Sequence, residues 1–115
     1  MDRQGFVDAV RLAVKDAAVT GTISQLARPP GRKPDENLLG LSAWFNQLAP
    51  QDRNNLEQVI DLATNLAVFG FLCVLDGVRQ IENGPKKGTL RLHYCLDSQD
   101  IILNDDRGEM LHDLL

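Results

Sequence analysis

The apolar run from Leu66 to Leu75 ends at Asp76 and Gly77, and this junction constrains the fold more than any other part of the chain. Before it, apolar residues recur at intervals of three and four, which is the spacing of one helix face. After it they alternate, which is the spacing of a strand. Leu75 to Val78 is typical of a Schellman helix ending, with Gly77 in the left-handed region. The junction therefore predicts a helical N-terminal portion that leads into a small antiparallel sheet.

Three substantial helices and one exposed connection are predicted before the junction. The helices span about residues 3–18, 36–48 and 51–75, and the proline-rich connection spans about 27–35. Asp2 is placed to cap the first helix and Gly21 to end it, with a short helical turn after Thr22. The helix at 51–75 is predicted to be the centre of the fold. Its predicted core residues are Val59, Ile60, Ala63, Leu66, Phe69, Leu72 and Cys73.

Three strands and a last helix are predicted after the junction. The strands span about residues 78–82, 89–96 and 101–104, and a capping box from Asp106 to Glu109 is expected to open a helix that carries Met110 to Leu115. Strands cannot cover themselves, so one sheet face should pack on the 51–75 helix. The predicted fold is α+β in one domain over residues 1–115. It has a helical N-terminal portion, a long central helix on a three-stranded antiparallel meander, and a short C-terminal helix.

Acidic side chains concentrate at the C-terminal end of a chain whose formal net charge is −4. Residues 97–115 contain one basic side chain, Arg107, and six acidic ones: Asp97, Asp100, Asp105, Asp106, Glu109 and Asp113. Such a surface repels nucleic acid and anionic membranes and steers a basic protein partner towards it. We therefore predict that these six carboxylates form a partner-binding surface. A solvated surface that aids solubility is the other interpretation.

The chain shows no strong catalytic or metal-binding motif. It has no phosphate-binding loop, no GxGxxG and no GxSxG, and its two cysteines and two histidines lack the paired short spacings of zinc sites. The prediction is no catalytic residue, no metal and no cofactor. The alternative is a small hydrolase or ligand-binding enzyme that uses His93, His112 and nearby acids.

The cellular compartment is predicted from the cysteine content, the first residues and the length of the apolar run. Two cysteines are too few for a disulfide scaffold, and residues 1–4 do not resemble the start of a signal peptide. The apolar run at 66–75 is shorter than the roughly 20 residues that span a bilayer. We predict a cytoplasmic protein.

Several segments together resemble a group of small, functionally uncharacterised bacterial proteins. These are FGFLCVLDGVRQIE at 69–82, KGTLRLHY at 87–94, LND at 103–105 and LHDL at 111–114. The resemblance implies no catalytic residues, and a looser likeness in size and charge is to small acidic immunity proteins. The expected function is a non-enzymatic protein-binding module, in its sharpest form an immunity or antitoxin-like protein. A homodimer through the sheet edge or the last helix is slightly favoured over a monomer, because Ile102 would lie on the outer sheet face.

Overall fold

The computed structural model describes all 115 residues, which divide into two compact units. One unit contains Met1–Val14 and Leu66–Leu115, and the other contains Lys15–Asn65. The elements are α1 (Arg3–Val10), a π-helical segment (Arg11–Asp16), α2 (Ala17–Ala27), α3 (Glu36–Gln47), α4 (Pro50–Leu75), β1 (His93–Leu96), β2 (Gln99–Ile102) and a terminal 3₁₀ helix (Leu111–Leu114). The α+β class, the helical N-terminal portion and the long central helix are as predicted.

The predicted three-stranded meander is wrong, because the sheet is a two-stranded hairpin. β1 and β2 pair antiparallel from His93 opposite Ile102 to Leu96 opposite Gln99. Residues 78–82 form no strand, and every residue from 77 to 91 is exposed. The physical reason is that the backbone there is engaged elsewhere: the N–H groups of Val78 and Arg79 both donate to the Cys73 carbonyl.

The first helix does not end at Gly21, as predicted, but continues to Ala27 through the π-helical segment. Asp2 caps it as expected, accepting from the Gly5 N–H at 2.8 Å. An interior glycine is only about 1 kcal/mol less favourable than alanine, so it does not stop a helix by itself. The helix ends instead just before Pro29, where proline restricts the preceding residue.

The core of the first unit lies where α1, the second half of α4 and the terminal helix meet. Val7, Val68, Leu72 and Leu111 form its buried cluster. Partly buried apolar side chains surround it: Phe6, Val10, Leu75, Leu92, Leu114 and Leu115. The predicted Schellman ending of α4 is confirmed, since Val78 N–H donates to the Cys73 carbonyl at 3.0 Å and Gly77 has φ 77°.

The second unit has a very small core. Leu26, Ser42 and Phe45 are its only buried residues. Asp35 caps α3 by accepting from Asn37 and Leu38, and the Arg53 guanidinium lies over the Phe45 ring at 4.7 Å from its centre. Several of its large apolar side chains are between 46% and 60% exposed: Leu39, Leu41, Trp44, Val59 and Leu62.

The predicted core of α4 is correct only in its second half. Leu72 and Cys73 are buried and Ile60 and Phe69 are half-buried, but Val59, Ala63 and Leu66 are exposed, and no residue from 50 to 67 is buried. By length and composition α4 could cross a membrane, with a mean hydropathy of 1.8 over its most apolar 18 residues, of which 17% are buried. Core helices of soluble proteins have the same length and composition.

Candidate interaction surface

One side of α4 carries an apolar row that nothing in the chain covers. Val59, Leu62, Ala63 and Leu66 stand at positions i, i+3, i+4 and i+7, so they lie on one helix face. Val59, Leu62 and Leu66 are 59%, 60% and 58% exposed. We call these four residues the α4 stripe. Their spacing is the one that helices use to pack against other helices.

The other side of α4 is the one that its own unit partly covers. Leu56, Ile60 and Thr64 are half-buried, and Asp61 forms an ion pair with Lys15 at 3.7 Å. Asp61 lies about 145° around the helix from the middle of the α4 stripe, at 100° per residue. Asp61 is therefore directed away from the stripe, which carries only uncharged side chains, whereas Asp52, seven residues before Val59, lies on the same face two turns earlier.

A second group of exposed apolar side chains lies on α3. Leu41 and Trp44, three residues apart on one helix face, are 51% and 50% exposed. Tryptophan is enriched at the centres of protein interfaces because it buries a large area with few rotatable bonds. These two side chains are therefore a second candidate interaction surface.

One of the six predicted partner-binding carboxylates already pairs with arginine side chains in the chain, and two others lie next to histidines. Asp105 pairs with Arg3 and Arg107, Asp100 contacts the His93 ring nitrogen at 2.7 Å, and Asp113 lies 3.4 Å from His112 Nε2. The other three, which the chain leaves without an ion pair, are Asp97, Asp106 and Glu109. We call these three the free carboxylates.

Asp105 is a structural residue rather than part of an open acidic surface. Its side chain is 10% exposed, its Oδ2 accepts from Arg107 Nε at 2.7 Å, and Arg3 donates to its backbone carbonyl at 2.9 Å. The hydrogen bond from the Arg107 side chain is the main cause that lowers the pKa of Asp105, and the same contact raises the pKa of Arg107. Asp105 therefore holds the N-terminal helix and the loop after β2 together.

The two histidines sit in separate surroundings. His93 lies on the hairpin beside Asp100. His112 Nδ1 is 2.7 Å from Asp76 Oδ2, and the His112 and Phe69 rings are perpendicular to each other at a centroid distance of 5.5 Å. No group of three or more His, Cys, Asp and Glu side chains is arranged to hold a metal ion.

Asp76 and His112 form a pair that holds the C-terminal helix in place. The Asp76 carboxylate is 2% exposed and also accepts from the backbone N–H groups of Leu111 and His112, at 3.0 and 2.9 Å. Asp76 therefore caps the terminal helix, and the predicted capping box from Asp106 to Glu109 is wrong. A carboxylate that orients an imidazole also resembles two-thirds of a hydrolytic triad, but here its oxygens satisfy the backbone.

A cleft of about 580 Å³ lies beside the end of α4. Its lining includes Arg79, Lys87, Arg91 and Asn104. Asn104 is 7% exposed and satisfies three groups: its amide donates to the Leu75 and Leu90 carbonyls, and its oxygen accepts from Leu92 N–H at 2.8 Å. No sequence signal predicts this role for Asn104, because a single asparagine at the end of a strand has no distinctive spacing.

No family model, curated protein or solved structure matches this chain.

Proposed function

We propose that this chain is a non-enzymatic protein-binding module. The observation that carries the proposal is the α4 stripe, an uncharged row of large side chains about 60% exposed on a helix that buries nothing before Val68. Isolated helices depend on tertiary packing for most of their stability, so a face of this kind is a docking surface.

The free carboxylates support a partner with basic side chains. Asp97, Asp106 and Glu109 are exposed and close in sequence, and the chain's net charge of −4 adds to their field. Negative surfaces of this kind accelerate encounter with basic proteins and weaken as salt screens them. An immunity or antitoxin-like protein that neutralises a basic toxin in the cytoplasm is the most specific form of the proposal.

Co-purification from the native host tests the proposal. The full chain with an affinity tag should retain one or more basic proteins at low salt, identified by mass spectrometry. A variant with Asp97→Asn, Asp106→Asn and Glu109→Gln should lose them. The matched control is Asp16→Asn and Glu36→Gln, two exposed acids outside the C-terminal segment. Recovery of no partner at low salt would count against a basic partner.

Hydrolysis is the second candidate, and the Asp76–His112 pair is the observation that favours it. A histidine oriented by a carboxylate can act as a general base. The test measures hydrolysis of ester, amide and phosphoester substrates by the wild-type chain and by a His112→Gln variant. The hydrolase candidate fails if the wild-type chain hydrolyses none of these substrates, or if the variant hydrolyses them at the same rate.

A further inference from the structure

The cleft beside the C-terminal end of α4 lies entirely within the first unit. Its volume of about 580 Å³ falls in the range of roughly 300–1000 Å³ that sites for small organic ligands have. The segment after α4 contributes Arg79 and Ile81 to the lining, and the segment before β1 contributes Lys87, Leu90 and Arg91. The size of the cleft therefore suits one small ligand.

The unpaired cations of the first unit are collected at this cleft. Arg79, Lys87 and Arg91 line it and form no ion pair within the chain, and the adjacent Lys86 forms none either. All other basic residues of this unit form ion pairs with aspartates: Arg3, Arg11 and Arg107. Three cations without a partner in one cleft indicate a site for a negatively charged group.

The two carboxylates at the cleft do not neutralise these cations. Glu82 Oε1 accepts from the Gly88 N–H at 2.8 Å. The Asp76 carboxylate is 2% exposed and is bound to His112 and to the backbone of the terminal helix. Neither carboxylate forms an ion pair with a cation of the cleft. The cleft is therefore positive in a chain whose net charge is −4.

The chain itself holds the cleft residues in place. Asn104, which also lines the cleft, joins the end of α4 to the segment before β1 by donating to the Leu75 and Leu90 carbonyls. Arg79 lies against Gly70 of α4, so closely that a Cβ at position 70 would overlap the Arg79 Nη1 atom. A site whose residues are already fixed loses little conformational entropy when a ligand binds.

The lining combines these charges with apolar side chains, which are those of Val74, Leu75, Ile81 and Leu90. Guanidinium groups bind the oxygens of carboxylates and phosphates through two parallel hydrogen bonds. We propose that the cleft binds an organic anion of small-molecule size that has a carboxylate or phosphate group and an apolar body. This site goes beyond the proposed function. It includes neither the α4 stripe nor the free carboxylates, so either can fail without the other.

Titration of the full chain with octanoate and with octyl phosphate, followed by NMR of the backbone amides, tests the site. Each anion should bind saturably, one molecule per chain, with the largest shifts in residues 74–91 and at Asn104. Octylammonium, which has the same tail and the opposite charge, should bind at least about tenfold more weakly. The net charge of −4 attracts octylammonium and repels both anions, so a preference for the anions must come from the cleft.

Variants of the lining locate the bound anion. Lys87→Gln combined with Arg91→Gln should weaken octanoate binding by at least about tenfold, because two charge-assisted contacts are lost. Lys86→Gln is the matched control, since this exposed lysine does not line the cleft. It should weaken binding less than about twofold, because salt screens a charge that does not touch the ligand.

Gly70→Ala separates the position of Arg79 from its charge. The added methyl group should displace the guanidinium and weaken octanoate binding by at least about threefold, because the paired hydrogen bonds need a fixed geometry. The urea midpoint should not fall, because alanine favours a helix more than glycine does. Gly40→Ala, in α3 where an added Cβ meets nothing within 4 Å, should leave binding unchanged.

A preference for octyl phosphate over octanoate would identify the ligand group as phosphate, and the reverse preference would identify it as carboxylate. Equal affinities for octanoate and octylammonium would overturn the site, as would unchanged binding in the Lys87→Gln, Arg91→Gln variant. So would the absence of saturable binding up to the solubility of each probe. Shifts confined to residues 59–66 would place the probe on the α4 stripe and would also overturn the site.

Discussion

Replacing Asn104 with alanine should destabilise the protein by about 3 kcal/mol, since three hydrogen bonds of about 1 kcal/mol each are lost. Asn104 joins three backbone segments: the end of α4 at Leu75, the loop at Leu90 and the residue before β1, Leu92. The residue is 7% exposed, so water has little access to the groups that would be left unpaired. A buried donor without an acceptor adds to the loss.

Urea unfolding followed by circular dichroism measures this loss as a lower midpoint at an unchanged slope. Protein concentration must be the same for all variants, because any self-association would make the midpoint depend on it. Asn54→Ala, at an exposed position of α4, is the matched control and should change stability by less than about 0.5 kcal/mol.

Asn104→Asp separates hydrogen-bond direction from packing. The aspartate keeps an acceptor for Leu92 N–H but directs a carboxylate oxygen at the Leu75 and Leu90 carbonyls, where the amide donates. It should be at least as harmful as alanine at neutral pH. Its folded-state pKa should be raised, so it should recover stability as the pH falls and the acid becomes a donor. A loss below about 1 kcal/mol for both variants, the scale of one hydrogen bond, would refute the assignment of Asn104 as the joining residue.

Three further outcomes are expected. Gly77→Ala should cost about 1–2 kcal/mol, because φ 77° strains a residue with a Cβ; a midpoint equal to wild type in urea would contradict the left-handed ending. Asp76→Ala should lower the free energy of unfolding by at least about 2 kcal/mol, because two backbone N–H groups lose a charged hydrogen-bond acceptor. Asp113→Ala should lower it by less than about 0.5 kcal/mol. Equal urea midpoints for the two variants would show that the Asp76 cap is unimportant. Asp105 has a lowered pKa in the folded state, so its contribution is present above its unfolded value of 3.8 and is lost as pH falls through the lower folded value. The stability gap between wild type and Asp105→Asn should therefore close in acid, and a gap independent of pH would refute the ion pairing as its source.

The helices were predictable from sequence where local signals decide them. Asp2 and Asp35 are caps with the expected acceptors, and the glycine after α4 takes the predicted left-handed conformation. The sheet was not predictable from sequence, because strand pairing depends on contacts between residues that are distant in sequence. Residues 89–92 alternate like a strand, yet Leu90 and Leu92 give backbone groups to the Asn104 side chain instead of to a third strand.

The acidic surface was predictable only in composition. Six carboxylates are visible in the sequence, but nothing near Asp105 shows that Arg3, 102 residues away, is its partner. The same holds for Asp76, which reaches the terminal helix 36 residues later and removes the need for the local capping box. Charge counts therefore overstate how much of this surface is available to a partner.

The error in the α4 prediction carries functional information. The sequence pattern predicted one apolar face for the first half of the helix, but the structure has two apolar rows there. Leu56 and Ile60 are half-buried, whereas the stripe around Leu62 is exposed. A helix in a monomer needs one apolar face, because only one side meets a core, whereas a helix shared between two chains needs two. The second row is costly in water and has no use inside its own chain. Its presence over two helical turns fits the proposed docking of another protein on this helix.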